Sequence, residues 1–111
     1  MSINAEISPF PPLGRREVED AVRHAMSACR PAILLKMLSE APGYAHDIAR
    51  SLKFSLQTVE QEMTNLAQIG LIAETTDAYG SWFRLRDSHV LEIVDAVELK
   101  SCYKELLLGT A

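Results

Sequence analysis

A mainly α fold, of about five helices and a two-stranded β-hairpin, is predicted by three observations. The first is a helical pair: Ile48, Ala49 and Leu52 on a short helix, a tight connection at Lys53-Phe54, and a second helix with Val59, Met63 and Leu66 on one stripe. The second is the stretch after it, where Gly70 stops the helix and two short alternating segments flank Asp77-Ala78-Tyr79-Gly80. The third is a set of three further helical patterns, two before the pair and one after the hairpin. Together they describe a winged helix-turn-helix.

The elements follow in chain order. Residues 1–13 hold Pro9, Pro11 and Pro12 and read as an extended or disordered arm, since such a run supports neither helix nor central strand. Residues 14–108 form a single domain. A first helix runs from Arg15 to about Cys29, with Val18, Val22, Ala25 and Cys29 on one stripe. Arg30-Pro31 breaks it and starts another, because proline suits the first helical turn. Ala32 to Leu38 is nearly all apolar, as in a helix buried at the centre, and Ala41-Pro42-Gly43 ends it. The helix-turn-helix spans about Ala45 to Ile69. Ser55 is the N-cap of its second helix, and Gly70 supplies a left-handed C-cap. Ala49 is small because two helices crossing on a tight turn leave little room. Leu71 to Thr76 and Ser81 to Arg86 are the two strands, with Phe83 and Leu85 facing one side and Trp82, Arg84 and Arg86 the other. Asp87 caps a last long helix, His89 to about Leu108, which is apolar over more than one face and therefore calls for a second partner.

With 111 residues there is room for one modest core, and chains of this size often gain stability by dimerising. A hydrophobic content of 48% and a charged content of 23% are ordinary for a globular protein. No apolar run reaches the ~20 residues of a membrane span, and the N-terminus lacks signal-peptide character, so the expected location is the cytoplasm. Two cysteines, Cys29 and Cys102, form no CxxC pair, and the default there is two reduced thiols packed as small hydrophobes. The net charge of −4 argues against a general nucleic-acid binder but does not exclude a sequence-specific one. No nucleophile motif, phosphate loop or converging carboxylate pair is present, so an enzyme is not expected, and no cofactor is implied.

This element order, with Gly70-Leu71-Ile72 and Arg84-Leu85-Arg86-Asp87, resembles the ArsR family of small winged-helix repressors over roughly residues 15–107. MarR-like regulators share the helix pair, but the length and the single helix after the hairpin favour ArsR. The resemblance implies a homodimer joined through the first and last helices. It also exposes departures. Ala45-His46-Asp47-Ile48-Ala49 stands where the family carries a Cys-x-Cys metal motif, and without thiolates a soft metal has no site. Asp87 and His89 match the start of the family's last-helix zinc motif, but Lys100 and Tyr103 replace its second pair, so no metal is expected. A third family mechanism links a second-helix cysteine to a last-helix one. Cys102 matches the latter; Lys36 occupies the former, with Cys29 two turns earlier. Cys29 and Cys102 are thus redox candidates if their Cα atoms come within about 7 Å.

The face of the second helix of the pair presents Gln57, Thr58 and Gln61, residue types that read base edges. Arg50, Lys53 and Ser55 at the turn, and Arg84 and Arg86 on the hairpin, are the candidate backbone contacts. From 45 to 87, four bases (those arginines and Lys53) face six acids, Asp47, Glu60, Glu62, Glu74, Asp77 and Asp87, a net of −2. Two functions fit. One is a homodimeric transcriptional repressor on double-stranded DNA with an inverted repeat. The other is a winged-helix protein-interaction module whose Glu-flanked helix meets a basic partner.

Overall fold

The computed structural model describes residues 14–97, so the N-terminal arm and the segment carrying Cys102 lie outside the described residues. Five helices and a small antiparallel sheet follow in the order α1 (Arg15–Ala25), α2 (Cys29–Glu40), β1 (Gly43–Tyr44), α3 (Ala45–Leu52), α4 (Leu56–Ile69), β2 (Ile72–Asp77), β3 (Gly80–Leu85) and α5 (Ser88–Ala96). The architecture is mainly helical and compatible with a winged helix. The sheet has three strands where two were expected, in the order β1-β3-β2.

α2 is the hub. Ala32, Ile33, Leu34, Leu35 and Leu38 are all buried, and α2 touches α4, α5 and β3. Four consecutive buried residues mean that no side of this helix mid-section meets water. Each large side chain so buried contributes roughly 1.5–3 kcal/mol. Around it, Val18, Val22 and Ala25 of α1, Val59, Met63 and Leu66 of α4, Phe83 of β3, and Val90 and Val94 of α5 complete one core.

α1 is shorter than the sequence pattern suggests. It closes at Ala25, where the Ser27 hydroxyl donates to the His24 carbonyl at 2.6 Å and competes with the helical ladder. Cys29 therefore opens α2 instead of extending the α1 stripe. Pro31 sits harmlessly in the first turn of α2, where an N–H has no helical partner to lose. The break thus falls at residues 26–28, ahead of Arg30-Pro31, and Pro31 could not have continued α1 because its ring would meet the Ser27 carbonyl one turn back.

The α1 stripe is buried within the chain, and Arg15, Arg16, Glu19, Asp20 and Arg23 form its exposed side. α5 also ends early, at Ala96, with Val97 extended (φ −83°, ψ 129°). Its last turn carries Asp95 and no basic residue, which opposes the helix dipole. The expectation of one unbroken helix from His89 to Leu108 is thereby corrected, while residues 98–111 lie outside the described residues. Asp87 does cap α5, accepting from the Val90 N–H at 3.1 Å. His89 is half-buried in the first turn, where its Nε2 accepts from Arg15 Nε at 3.0 Å.

Candidate nucleic-acid interface

α3 and α4 are joined by Lys53, Phe54 and Ser55. α3 ends with Lys53 in the left-handed region (φ 60°, ψ 33°), and the Phe54 N–H reaches back to the Ala49 carbonyl at 3.0 Å. α4 ends the same way: Gly70 has φ 98°, and the Leu71 N–H bonds the Leu66 carbonyl at 3.1 Å. Both closures satisfy carbonyls that would otherwise be orphaned. Buried Ala49 and Ile48 let α3 lie close to α4. Ser55 opens α4, its hydroxyl oxygen accepting from the Thr58 N–H at 3.0 Å while the hydroxyl donates to Thr58 Oγ1 at 2.8 Å.

Opposite the buried stripe of α4, Gln57, Gln61, Thr64 and Gln68 are exposed on one face. Their amides and hydroxyl are uncharged donors and acceptors. Thr58 is half-buried and tied to Ser55, so both hydroxyls of this candidate pair serve the cap. Glu60 flanks the exposed face. Glu62 does not: it is turned toward α2, half-buried, with Arg30 Nη1 3.9 Å from its Oε2. The acidity read from the sequence is thus partly internal.

The same holds for other acids. Asp47 lies 3.7 Å from Arg50 Nη1 and 3.3 Å from His46 Nδ1, and Asp87 is a helix cap. Asp77 organises the hairpin tip, accepting from the Tyr44 hydroxyl at 2.7 Å and from the Tyr79 N–H at 2.8 Å. The Tyr44 hydroxyl, with the Tyr79 and Gly80 N–H groups, holds the Asp77 carboxyl below its ordinary range. In return, that hydrogen bond to Asp77 raises the Tyr44 phenol above 10.0, helped by the negative charges of Asp77 and Asp47.

The candidate bases divide in two. Arg50 and Lys53 are exposed at the helix junction. Arg84 folds its Nη1 onto the Leu85 and Arg86 carbonyls at 3.2 and 3.0 Å. Arg86 is half-buried with Nη1 3.3 Å from the Gly70 carbonyl, pinning the end of α4 to the end of the hairpin. Two of the four candidate cations therefore bond to backbone carbonyls of their own chain.

Cys29 is half-buried and disulfide-bonded, which corrects the reading of a reduced core thiol: at the first position of α2 it is not on a buried stripe. Sequence reasoning also missed β1. Tyr44 pairs with Trp82 in register, and Gly43 with Phe83, so the strand that leads into α3 is stitched to the hairpin. Tyr44 stacks on His46 (centroids 5.4 Å apart, 14° between planes) and meets Tyr79 edge-on at 6.2 Å. Two residues show no alternation, so the only signal was an aromatic directly after Pro42-Gly43. Among the described residues, no helix is long and apolar enough to cross a membrane. No protein-family model and no curated protein sequence matches this chain.

Proposed function

We propose that this chain is a sequence-specific DNA-binding transcriptional regulator, a repressor of the winged helix-turn-helix type. It acts in the cytoplasm as a homodimer on an inverted repeat, with half-sites about 34–36 Å apart. One observation carries the reading: Gln57, Gln61, Thr64 and Gln68 stand uncovered on α4, opposite Val59, Met63 and Leu66, with only Glu60 of the helix acids beside them. Glutamine can bond adenine N6 and N7 together, and threonine can meet a base or a thymine methyl. Arg50 and Lys53 stand beside that face to neutralise phosphates. Cys29 and Cys102 are the candidates for a thiol-responsive signal.

The test is selection of bound sequences from a random duplex pool, followed by affinity against salt. An enriched inverted repeat and a steep salt dependence support the reading. A pool that enriches nothing, with negligible binding at low salt, defeats it. The internal bonds of Arg84 and Arg86 favour one alternative, a protein-interaction module with little DNA affinity. That module would bind a basic partner through α4 and lose it on Glu60→Gln.

A further inference from the structure

The exposed polar side chains of α4 are Gln57, Glu60, Gln61, Thr64, Asn65 and Gln68, and the helix carries no arginine, lysine or histidine. A recognition helix meets base edges with its N-terminal residues. There, hydrogen bonds with Ser55 hold Thr58 in the cap, half-buried. That leaves Gln57, Glu60 and Gln61, none of which makes a side-chain hydrogen bond or ion pair among the described residues. Turning them to a ligand breaks nothing within the chain.

These three side chains discriminate among bases. In the major groove adenine offers an acceptor, N7, beside a donor, the N6 amino group, whereas guanine offers two acceptors, N7 and O6. A glutamine amide has one NH2 and one oxygen, so adenine satisfies both ends. Against guanine only the NH2 finds a partner. The strong reader of guanine is a cation, and α4 has none. Glu60 adds to the same choice. Its carboxylate only accepts, so it suits the amino groups of adenine and cytosine and opposes the acceptor edges of guanine and thymine.

Resting on the DNA-binding reading above, we infer that α4 is an adenine reader: Gln57 and Gln61 each take an adenine, and Glu60 keeps guanine and thymine from the base it faces. One helical turn separates the two glutamines, about 6 Å along the axis, or about two base-pair steps of about 3.4 Å. The duplex that fits therefore carries two adenines about two steps apart in each half-site. Arg50 and Lys53, exposed beside the N-terminal end of α4, meet phosphates and leave the choice of base to that helix.

The experiment selects duplexes from a random pool with the whole chain, as wild type, Gln61→Arg and Glu60→Gln, then measures affinity after single base-pair exchanges in the selected duplex. Gln61 is the residue to change because no acid lies three or four positions from it, so a guanidinium there stays available to a base. Wild type should enrich two A·T columns about two steps apart in each half-site, and exchanging either for G·C should weaken binding about 5- to 150-fold. Gln61→Arg should convert one of those columns to G·C and keep the other. Glu60→Gln should admit guanine or thymine at one further column and bind every duplex about 1.5- to 5-fold more tightly, because a charge that repels phosphate is gone. An enriched repeat with G·C at the paired columns, or one that Gln61→Arg leaves unchanged, would overturn the adenine assignment while DNA binding stands. Columns that Glu60→Gln does not relax would remove Glu60 from the reading. A wild-type pool that enriches nothing overturns both the assignment and DNA binding. The base-pair exchanges use wild type alone, so they decide the matter even where a substitution unfolds the chain.

Discussion

Lys53→Gly should make the protein more stable and, if α3 and α4 bind DNA, a weaker binder. Lys53 is the only non-glycine residue with positive φ among the described residues, at φ 60°. That region costs an L-residue roughly 1–2 kcal/mol through the clash of Cβ with the following carbonyl. Glycine removes the clash but adds about 0.5–1 kcal/mol of unfolded-chain entropy. The backbone N–H that bonds the Ala49 and Arg50 carbonyls is retained. The net gain is about 0.5–1 kcal/mol, or about 2–6 °C in Tm for a domain of this size. Thermal unfolding by circular dichroism reads that change. The side chain is exposed and makes no ion pair among the described residues, so its loss costs the fold nothing there. On DNA it removes one phosphate contact, which lowers the slope of log affinity against log salt by about 1. A destabilised variant would refute the account of how α3 ends. An unchanged salt slope would remove Lys53 from the interface.

Two further substitutions test the frame around the site. Gly70→Ala places a Cβ at φ 98° and should destabilise by about 1 kcal/mol, seen as a lower urea midpoint with unchanged m-value. Asp77→Asn should lower the Tyr44 ionisation back toward 10.0, followed through tyrosinate absorbance, because the hydrogen bond to a carboxylate is lost and the carboxylate's charge with it. The sign of the accompanying pH effect is fixed by both partners. Asp77 is depressed, so its contribution is present above the ordinary carboxylate value and lost as pH falls through the folded one. Tyr44 is raised, so its contribution is present below 10.0 and lost as pH rises through the folded value. Amide exchange at the hairpin should show both losses in wild type and neither in Asp77→Asn.

The helix pair was legible because its signals are local and redundant. Ser55, the Val59-Met63-Leu66 stripe and Gly70 each mark α4 independently, and the structure uses all three. The end of α1 was not legible, since the apolar spacing runs on to Cys29 although the helix closes at Ala25. β1 is two residues long and exists only through its pairing with β3, a contact of long sequence separation. Charge was the weakest guide. A count of acids and bases treats Glu62, Asp77, Arg84 and Arg86 as surface ions, yet each is bonded elsewhere within the fold. Composition cannot reveal which charges are already answered, because that depends on neighbours brought together by folding.

The strand order β1-β3-β2 leaves one long margin of the sheet, along β2, unpaired among the described residues. Glu74, Thr75, Thr76 and Asp77 there are exposed, and a threonine-rich margin of this kind is a template on which another polypeptide can add. The carboxylates at its two ends guard it, since stacking a second copy in register or antiparallel would bring like charges together. Replacing Glu74 with an apolar residue would lift that guard, and self-association through the bare margin would grow at neutral pH.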